Sequence, residues 1–379
     1  MSLYVHLPWC VRKCPYCDFN SHPAPSQTPE KEYLAALLAD LESELPDVWG
    51  RPVHSIFFGG GTPSLLGADW FAELLSGFRS RLSLTPNVEI SLEANPGTVE
   101  HDSFSAYRAA GINRISLGVQ TFDNRLLQRI GRIHGREDID RSIESIHSSG
   151  IKNFNIDLMF ALPGQTTEEA VEDIRLAVAS LPAHISHYQL TVEPNTAFHA
   201  NPPELPDADA AWEMQDKCIE ILQNKGYEQY EISAWAKKGR QCRHNLNYWR
   251  YGDFLGIGAG AHSKITLPSL GAIRRRIRHR QPKKYLESAQ TGLLLADDRV
   301  LGPQELVFEF FLNQLRLCDG VRKDQFQART GIPWSTVSER VDQAVKGGLL
   351  IESGAVVKHT ELGWRFNNDT QSIFLPDPD

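Results

Sequence analysis

Between residue 3 and about residue 236, short apolar runs alternate with amphipathic stretches of helical period. The strand candidates are Leu3–Leu7, Val53–Phe58, Val88–Ala94, Arg114–Gln120, Asn153–Met159 and His184–Leu190. A helix opening at Thr28-Pro29 places Leu34, Leu37, Leu38, Leu41 and Leu45 on one face. Another opens at Thr166 with Glu169 three residues on, a capping box, and turns Ala170, Ile174, Ala177, Val178 and Leu181 inward. This alternation predicts an α/β fold with a parallel sheet and helices outside it. Six units predict a partial (βα)6 TIM-like barrel. A doubly wound sheet is the competing arrangement.

Parallel strands covered on both faces should read as unbroken apolar runs. Three strands here do not. Val88, Ile90 and Leu92 alternate with Glu89, Ser91 and Glu93; Ile115, Leu117 and Val119 with Ser116, Gly118 and Gln120; Phe154, Ile156 and Leu158 with Asn153, Asn155 and Asp157. The apolar face fits against outer helices, and the polar face would line a barrel interior. Glu93, Gln120 and Asp157 fall near the C-terminal ends of their strands, where barrel enzymes place their sites. Half-exposed antiparallel strands alternate in the same way, but the intervening helices weigh against them.

The pattern changes after residue 236. Residues 237–302 read as a loop-rich connector holding His244-Asn245-Leu246-Asn247-Tyr248-Trp249, a Gly-rich run Gly256–Gly260 and a basic loop from Arg274 to Lys284. Residues 303–379 read as a winged-helix-like domain. Its helices are Glu305–Leu317, Lys323–Thr330 and Ser335–Gly347, its strands Leu349–Glu352 and Val356–His359, and a last helix starts near Glu361. Such modules often read DNA. A net charge of −8 and few basic residues in the third helix favour protein contact or structural capping, so no nucleic-acid partner is expected.

With 379 residues, 41% hydrophobic and 23% charged, the chain suits a globular protein of one large and one small domain. No apolar run is long enough to cross a bilayer. Six cysteines without an export signal point to a reducing cytoplasm and metal chemistry. Three of them, Cys10, Cys14 and Cys17, form a C-x3-C-x2-C run. A four-iron cluster normally takes four thiolates, so three would leave one iron open for another ligand. The same loop could hold zinc with His6 or His22, or be a disulfide remnant. Phe58-Gly59-Gly60-Gly61-Thr62-Pro63-Ser64 follows the second strand. Its glycines admit close approach of backbone to ligand, or simply make a tight turn.

The cysteine spacing resembles that of radical S-adenosylmethionine (SAM) proteins. Tyr4, the cysteine loop, the GGGTPS turn, Glu93-Ala94-Asn95-Pro96, Gly118-Val119-Gln120, Gly131-Arg132, Asp157-Leu158 and Leu162-Pro163-Gly164-Gln165-Thr166 together resemble the oxygen-independent coproporphyrinogen III oxidase superfamily. The likeness spans essentially the whole chain. It implies a [4Fe-4S] cluster on Cys10, Cys14 and Cys17, with Tyr4, Gly60 and Glu93 against cluster-bound SAM. It also implies that Tyr16, Gly61, Thr62, Gln120, Arg132 and Asp157 line a second SAM-like position.

Two departures separate the chain from the oxidase pattern. Cys17 is followed by Asp18-Phe19 where the oxidase has a further cysteine, and the first strand begins almost at Met1 where the oxidase has an extension. The loop Cys17–His22 and the HNLNYW run are instead similar to the HemW group of haem chaperones, sometimes labelled oxidase-like. This implies haem as bound cargo, bound apart from the cluster and delivered to haem-requiring membrane enzymes. Radical decarboxylation of coproporphyrinogen III is the alternative, and catalysis is left unassigned. His244 can ligate iron, while Tyr248 and Trp249 offer flat apolar surface; Cys242 is a second ligand candidate. The same run could instead pack a domain junction. Arg274, Arg275, Arg276, Arg278, Arg280, Lys283 and Lys284 could meet haem propionates or an anionic membrane surface, or form a solvated loop. Cys218 and Cys318 read as buried small residues on helices. A homodimer is one arrangement that an exposed cluster could bridge.

Overall fold

The computed structural model describes residues 1–97 and 102–376. The last three residues of the expected 303–379 domain, and 98–101 of the barrel, lie outside it. The fold centres on twelve strands: β1 (Ser2–Leu7), β2 (Pro52–Gly60), β3 (Ser83–Ala94), β4 (Arg114–Gln120), β5 (Asn153–Phe160), β6 (His184–Gln189), β7 (Glu228–Glu231), β8 (Ala234–Ala236), β9 (Phe254–Ile257), β10 (His262–Leu267), β11 (Ala272–Arg278) and β12 (Leu295–Val300). Among the described residues they form one sheet, in the order β12-β11-β10-β9-β1-β2-β3-β4-β5-β6-β8-β7.

The six expected strands are β1 to β6, and neighbours along this run pair in parallel. Helices connect them and cover the outside, as in an α/β barrel left open at one side. The apolar residues of the alternating strands form the core beneath those helices: Ile90, Leu92, Ile115, Leu117, Phe154, Ile156 and Leu158 are buried. Helix Glu30–Val48 buries Leu34, Leu37 and Leu41, and Leu38 and Leu45 pack half-buried against the same core. Helix Thr167–Ala179 carries the expected capping box. The Thr166 side chain accepts from Glu169 N, and the Glu169 carboxylate accepts from Thr166 N. Leu181 departs from expectation. The helix ends at Ala179, Leu181 turns through a left-handed φ of 56°, and its side chain is 76% exposed.

Residues 237–302 are not loop-rich. Strand β9 adds to the outer edge of β1 in parallel, and β10 to β12 continue the sheet as an antiparallel meander. The first part of the basic loop, Arg274–Arg278, lies in strand β11, and the arginines of that strand are occupied. Arg276 pairs with Glu44 and Asp47, and Arg278 with Asp40 and Glu44, all on or at the end of helix Glu30–Val48. Arg274 pairs with Asp298, and Arg275 with Glu309. Alternating arginines on a strand whose inner face meets an acidic helix read as a charge run in sequence. In three dimensions they are an ion-pair network, buried at Arg276 and Arg278 and partly exposed at Arg274 and Arg275. Arg280, Lys283 and Lys284 remain exposed.

The C-terminal module packs its own core from Phe310, Phe311, Phe326, Val341 and Phe374. Helices Pro303–Gln314, Lys323–Thr330 and Ser338–Lys346 accompany a wing of Leu350–Ser353 and Val356–His359. A further short strand, Val321–Arg322, pairs with the wing. Backbone bonds Ile232 N to Arg316 O and Cys318 N to Tyr230 O fasten the module to β7. Cys218 is buried as expected, whereas Cys318 is exposed. Among the described residues no helix is long and apolar enough to cross a membrane.

Candidate functional site

A cavity of about 550 Å³ runs through the barrel interior. It falls in the range of small-molecule sites. The three cysteines, the nine residues singled out for SAM, and His244, Tyr248 and Trp249 all line it, as does Cys242; the basic residues of 274–284 do not. At its mouth the cysteine loop is shaped by local bonds. Cys17 N bonds Cys14 O at 3.1 Å, and a short parallel bridge joins Trp9–Cys10 to His22–Pro23. Asn20 anchors the loop's far side by donating to Ala259 O and Arg280 O.

The glycine run is positioned by the same extension of β1. Gly61 N donates to Leu7 O, and Thr62 N to Trp9 O, each at 2.7 Å. Gly60 has φ 115°, and a Cβ there would stand 2.5 Å from the His6 ring; at Gly61 a Cβ would stand 2.4 Å from Trp9 O. No other side chain fits this turn. His6 is held neutral, its pKa lowered to about 4 by burial, and it bonds the Tyr4 hydroxyl at 2.9 Å.

A hydrogen-bonded arc links two of the three sulfurs. Thr62 Oγ1 lies 3.5 Å from Cys10 Sγ and accepts from Asn95 Nδ2 at 2.9 Å. Asn95 Oδ1 accepts from Arg132, whose other terminal nitrogen lies 3.6 Å from Cys14 Sγ. Arg132 also donates to Gly118 O at 2.7 Å. Ser21 Oγ lies 3.6 Å from Cys17 Sγ. Burial raises the pKa of the Cys10 and Cys17 thiols. The donor set fits an iron–sulfur cluster: three sulfurs face one cavity, and hydroxyl and guanidinium donors stand ready to stabilise them as thiolates. Asn95 was legible only as part of a motif; its place in the arc needs the fold.

Deeper in, Glu93 Oε2 accepts from Gly60 N at 3.0 Å. Burial and the nearby Asp157 carboxylate push its pKa up to about 8. Asp157 is also raised by burial, against hydrogen bonds from Ser186, Asn155 and Ser116. Gln120 ends β4 at a left-handed φ of 69°, and its amide oxygen accepts from Tyr188. Glu93 held neutral without a ligand, beside an Asp157 whose pKa is raised, suits a site for a cationic molecule, whose arrival would favour the charged forms.

The inner end is closed by helix Arg243–Trp249, the HNLNYW run, which packs against β2. It meets Glu89, four residues before Glu93 on β3 and therefore roughly 13 Å away along the strand. Glu89 accepts from Arg243 N at 2.9 Å, and its carboxylate stands 3.7 Å from His244 Nδ1. Cys242 Sγ lies 2.9 Å from His244 Nδ1. Among the described residues Glu89, Cys242 and His244 are the group of three potential metal ligands with donor atoms within 4.8 Å of one another. The His244 ring lies 3.9 Å from the Phe57 ring at a tilt of 34°, and burial lowers its pKa. Burial pushes the Cys242 thiol up to about 12. His244, Tyr248 and Trp249 thus line the same cavity as the cysteines, at its other end, because their helix plugs the barrel. A haem site apart from the cluster cavity is not what these three residues form. Arg114, Glu231 and Arg316 also line this end and carried no sequence signal as site residues.

An open α/β barrel with a three-cysteine loop at its mouth and a glycine turn beside it defines a radical SAM protein. Residues 4–177 match the radical SAM superfamily, and 301–366 match the HemN C-terminal domain. The solved coproporphyrinogen III oxidase (HemN) from Escherichia coli superposes with a TM-score of 0.82 at 22% identity, covering 98% of this chain and 89% of that one. That likeness is one of fold. The heme chaperones HemW of Haemophilus influenzae and Escherichia coli are each 46% identical, covering 99% of this chain and 98% of theirs. HemW of Bacillus subtilis is 34% identical over 99% of both chains. The chain belongs to the HemW family of the radical SAM superfamily. Membership implies a [4Fe-4S] cluster and SAM.

Proposed function

We propose that this protein binds haem in the barrel cavity and passes it to haem-requiring proteins. Cys10, Cys14 and Cys17 would hold the [4Fe-4S] cluster, which when loaded binds SAM at its open iron and can supply an electron. Tyr4, Gly60 and Glu93 would receive that SAM, and Tyr16, Gly61, Thr62, Gln120, Arg132 and Asp157 a second SAM-like ligand. His244 is the haem iron's candidate ligand, with Tyr248 and Trp249 as flat walls. One observation carries the reading: in a chain with full-length HemW relatives, the HNLNYW helix floors the same cavity whose mouth presents the cysteines.

Delivery needs contact with an acceptor. The C-terminal module, fastened beside the cavity's inner end, is the surface we assign to that contact. A cytoplasmic protein meeting membrane-bound acceptors from one side follows from this scheme, and so does a test of whether loaded protein forms a homodimer. The reading is checked by haem titration followed in the Soret band. Stoichiometric binding that weakens in His244→Ala supports it; unchanged affinity in that variant removes the ligand assignment, and absence of binding removes the function.

A further inference from the structure

Two positions apart at the start of a helix, Cys242 and His244 turn their side chains to one acid, Glu89 on β3. Cys242 occupies the cap position of helix Arg243–Trp249, where a serine, threonine or aspartate would bond the free N–H groups of the first turn. Its side chain makes no such bond. The sulfur lies instead 2.9 Å from His244 Nδ1 and 3.9 Å from Glu89 Oε1, and that oxygen lies 3.7 Å from the same nitrogen. All three residues are buried.

A thiol sulfur, an imidazole nitrogen and a carboxylate oxygen are the donor types of zinc sites. Metal–sulfur bonds of about 2.3 Å and metal–nitrogen or metal–oxygen bonds of about 2.0–2.1 Å set tetrahedral donors roughly 3.3–3.6 Å apart. The separations observed here bracket that range, so small side-chain adjustments seat an ion. Glu89 is oriented beforehand, because it also accepts from Arg243 N at 2.9 Å. Magnesium and calcium take oxygen donors and are not served by this set. Thiolate and carboxylate offset the two charges of the ion. Arg114, whose charge acts on both Cys242 and Glu89, leaves one over and favours an anion as fourth ligand. Cys242 and His244 line the cavity, from which hydroxide or a carboxylate can complete the set.

We infer that Glu89, Cys242 and His244 form a site for one divalent ion of the zinc class, at the opposite end of the cavity from the three-cysteine loop. The inference does not rest on the haem reading. The two share His244, so a bound ion and haem iron compete for its ring.

The test adds zinc alone to the full-length, cluster-loaded, haem-free protein, in which iron already occupies Cys10, Cys14 and Cys17. One zinc per chain is expected to survive desalting. X-ray absorption at the zinc edge should then show one sulfur at about 2.3 Å, with nitrogen or oxygen neighbours at about 2.0–2.1 Å. Cys242→Ala should remove the sulfur neighbour and weaken zinc binding at least about a hundredfold. Glu89→Gln keeps an acceptor for Arg243 N and should weaken it by about tenfold to a hundredfold. No retained zinc, a shell of three sulfurs, or native affinity in both variants would each overturn the site. The native spectrum needs no variant, so the test stands even where Cys242→Ala fails to fold. Haem is absent throughout, so failure of the haem reading leaves the result unaffected.

Discussion

Glu93→Gln tests the electrostatics of the SAM site. In the ligand-free protein Glu93 titrates near 8 against an ordinary 4.5, because burial and Asp157 both oppose its charge. At pH 7 roughly nine-tenths of it is therefore protonated. SAM carries an ammonium and a sulfonium, so a Glu93 that contacts it is ionised in the complex. Binding must then release roughly 0.9 proton at pH 7, and affinity should rise roughly tenfold per pH unit until about pH 8 and then level off. Calorimetry of SAM binding to the anaerobically reconstituted protein, in two buffers of different ionisation enthalpy, reads the proton count directly. Glu93→Gln should lower the release by roughly 0.9 proton at pH 7, leaving only what the SAM amine itself gives up, and flatten the pH profile to that extent. The sign for stability is opposite. The folded state holds the proton more tightly than the unfolded one, so stability is lost as pH rises from 4.5 toward 8. Glu93→Gln should stabilise the ligand-free protein by up to about 3 kcal/mol at pH 7 and far less at pH 5. A native protein that releases no proton, or a variant that releases as many, would refute the reasoning.

Other expectations follow from the same contacts. Cys10→Ser, Cys14→Ser or Cys17→Ser should each abolish the cluster's visible absorption after reconstitution while far-ultraviolet circular dichroism is retained. Asn95→Leu breaks the arc between Thr62 and Arg132. It should cost about 1–3 kcal/mol in chemical denaturation and speed bleaching of the cluster in air. Arg278→Ala leaves Asp40 buried without its cation and Glu44 with Arg276 alone. A loss of about 3–5 kcal/mol is expected, and a loss under 1 kcal/mol would show that the network is dispensable.

The barrel was legible because its strands write two messages at once. In Val88–Ala94 the apolar positions match the helices outside and the polar ones match the cavity, so both faces could be read from one alternation. The cysteine spacing and the glycine run named the mouth of the site for the same reason: each motif is local, and each needs only a short stretch of chain. What was hidden depends on distant pairing. Arg274–Arg278 looked like a free basic loop because their partners, Asp40, Glu44, Asp47, Asp298 and Glu309, come from other segments. The HNLNYW run looked separate from the cluster because nothing in its sequence says that its helix turns back into the barrel.

The central claim is that the cavity carries haem rather than decarboxylating a porphyrinogen. The direct measurement supplies the cluster-loaded protein anaerobically with reductant, SAM and coproporphyrinogen III. In parallel, the haem-loaded protein is mixed with a haem-free acceptor enzyme. Haem transfer with recovery of acceptor activity, and no protoporphyrinogen IX, is the predicted result. Formation of protoporphyrinogen IX would contradict it.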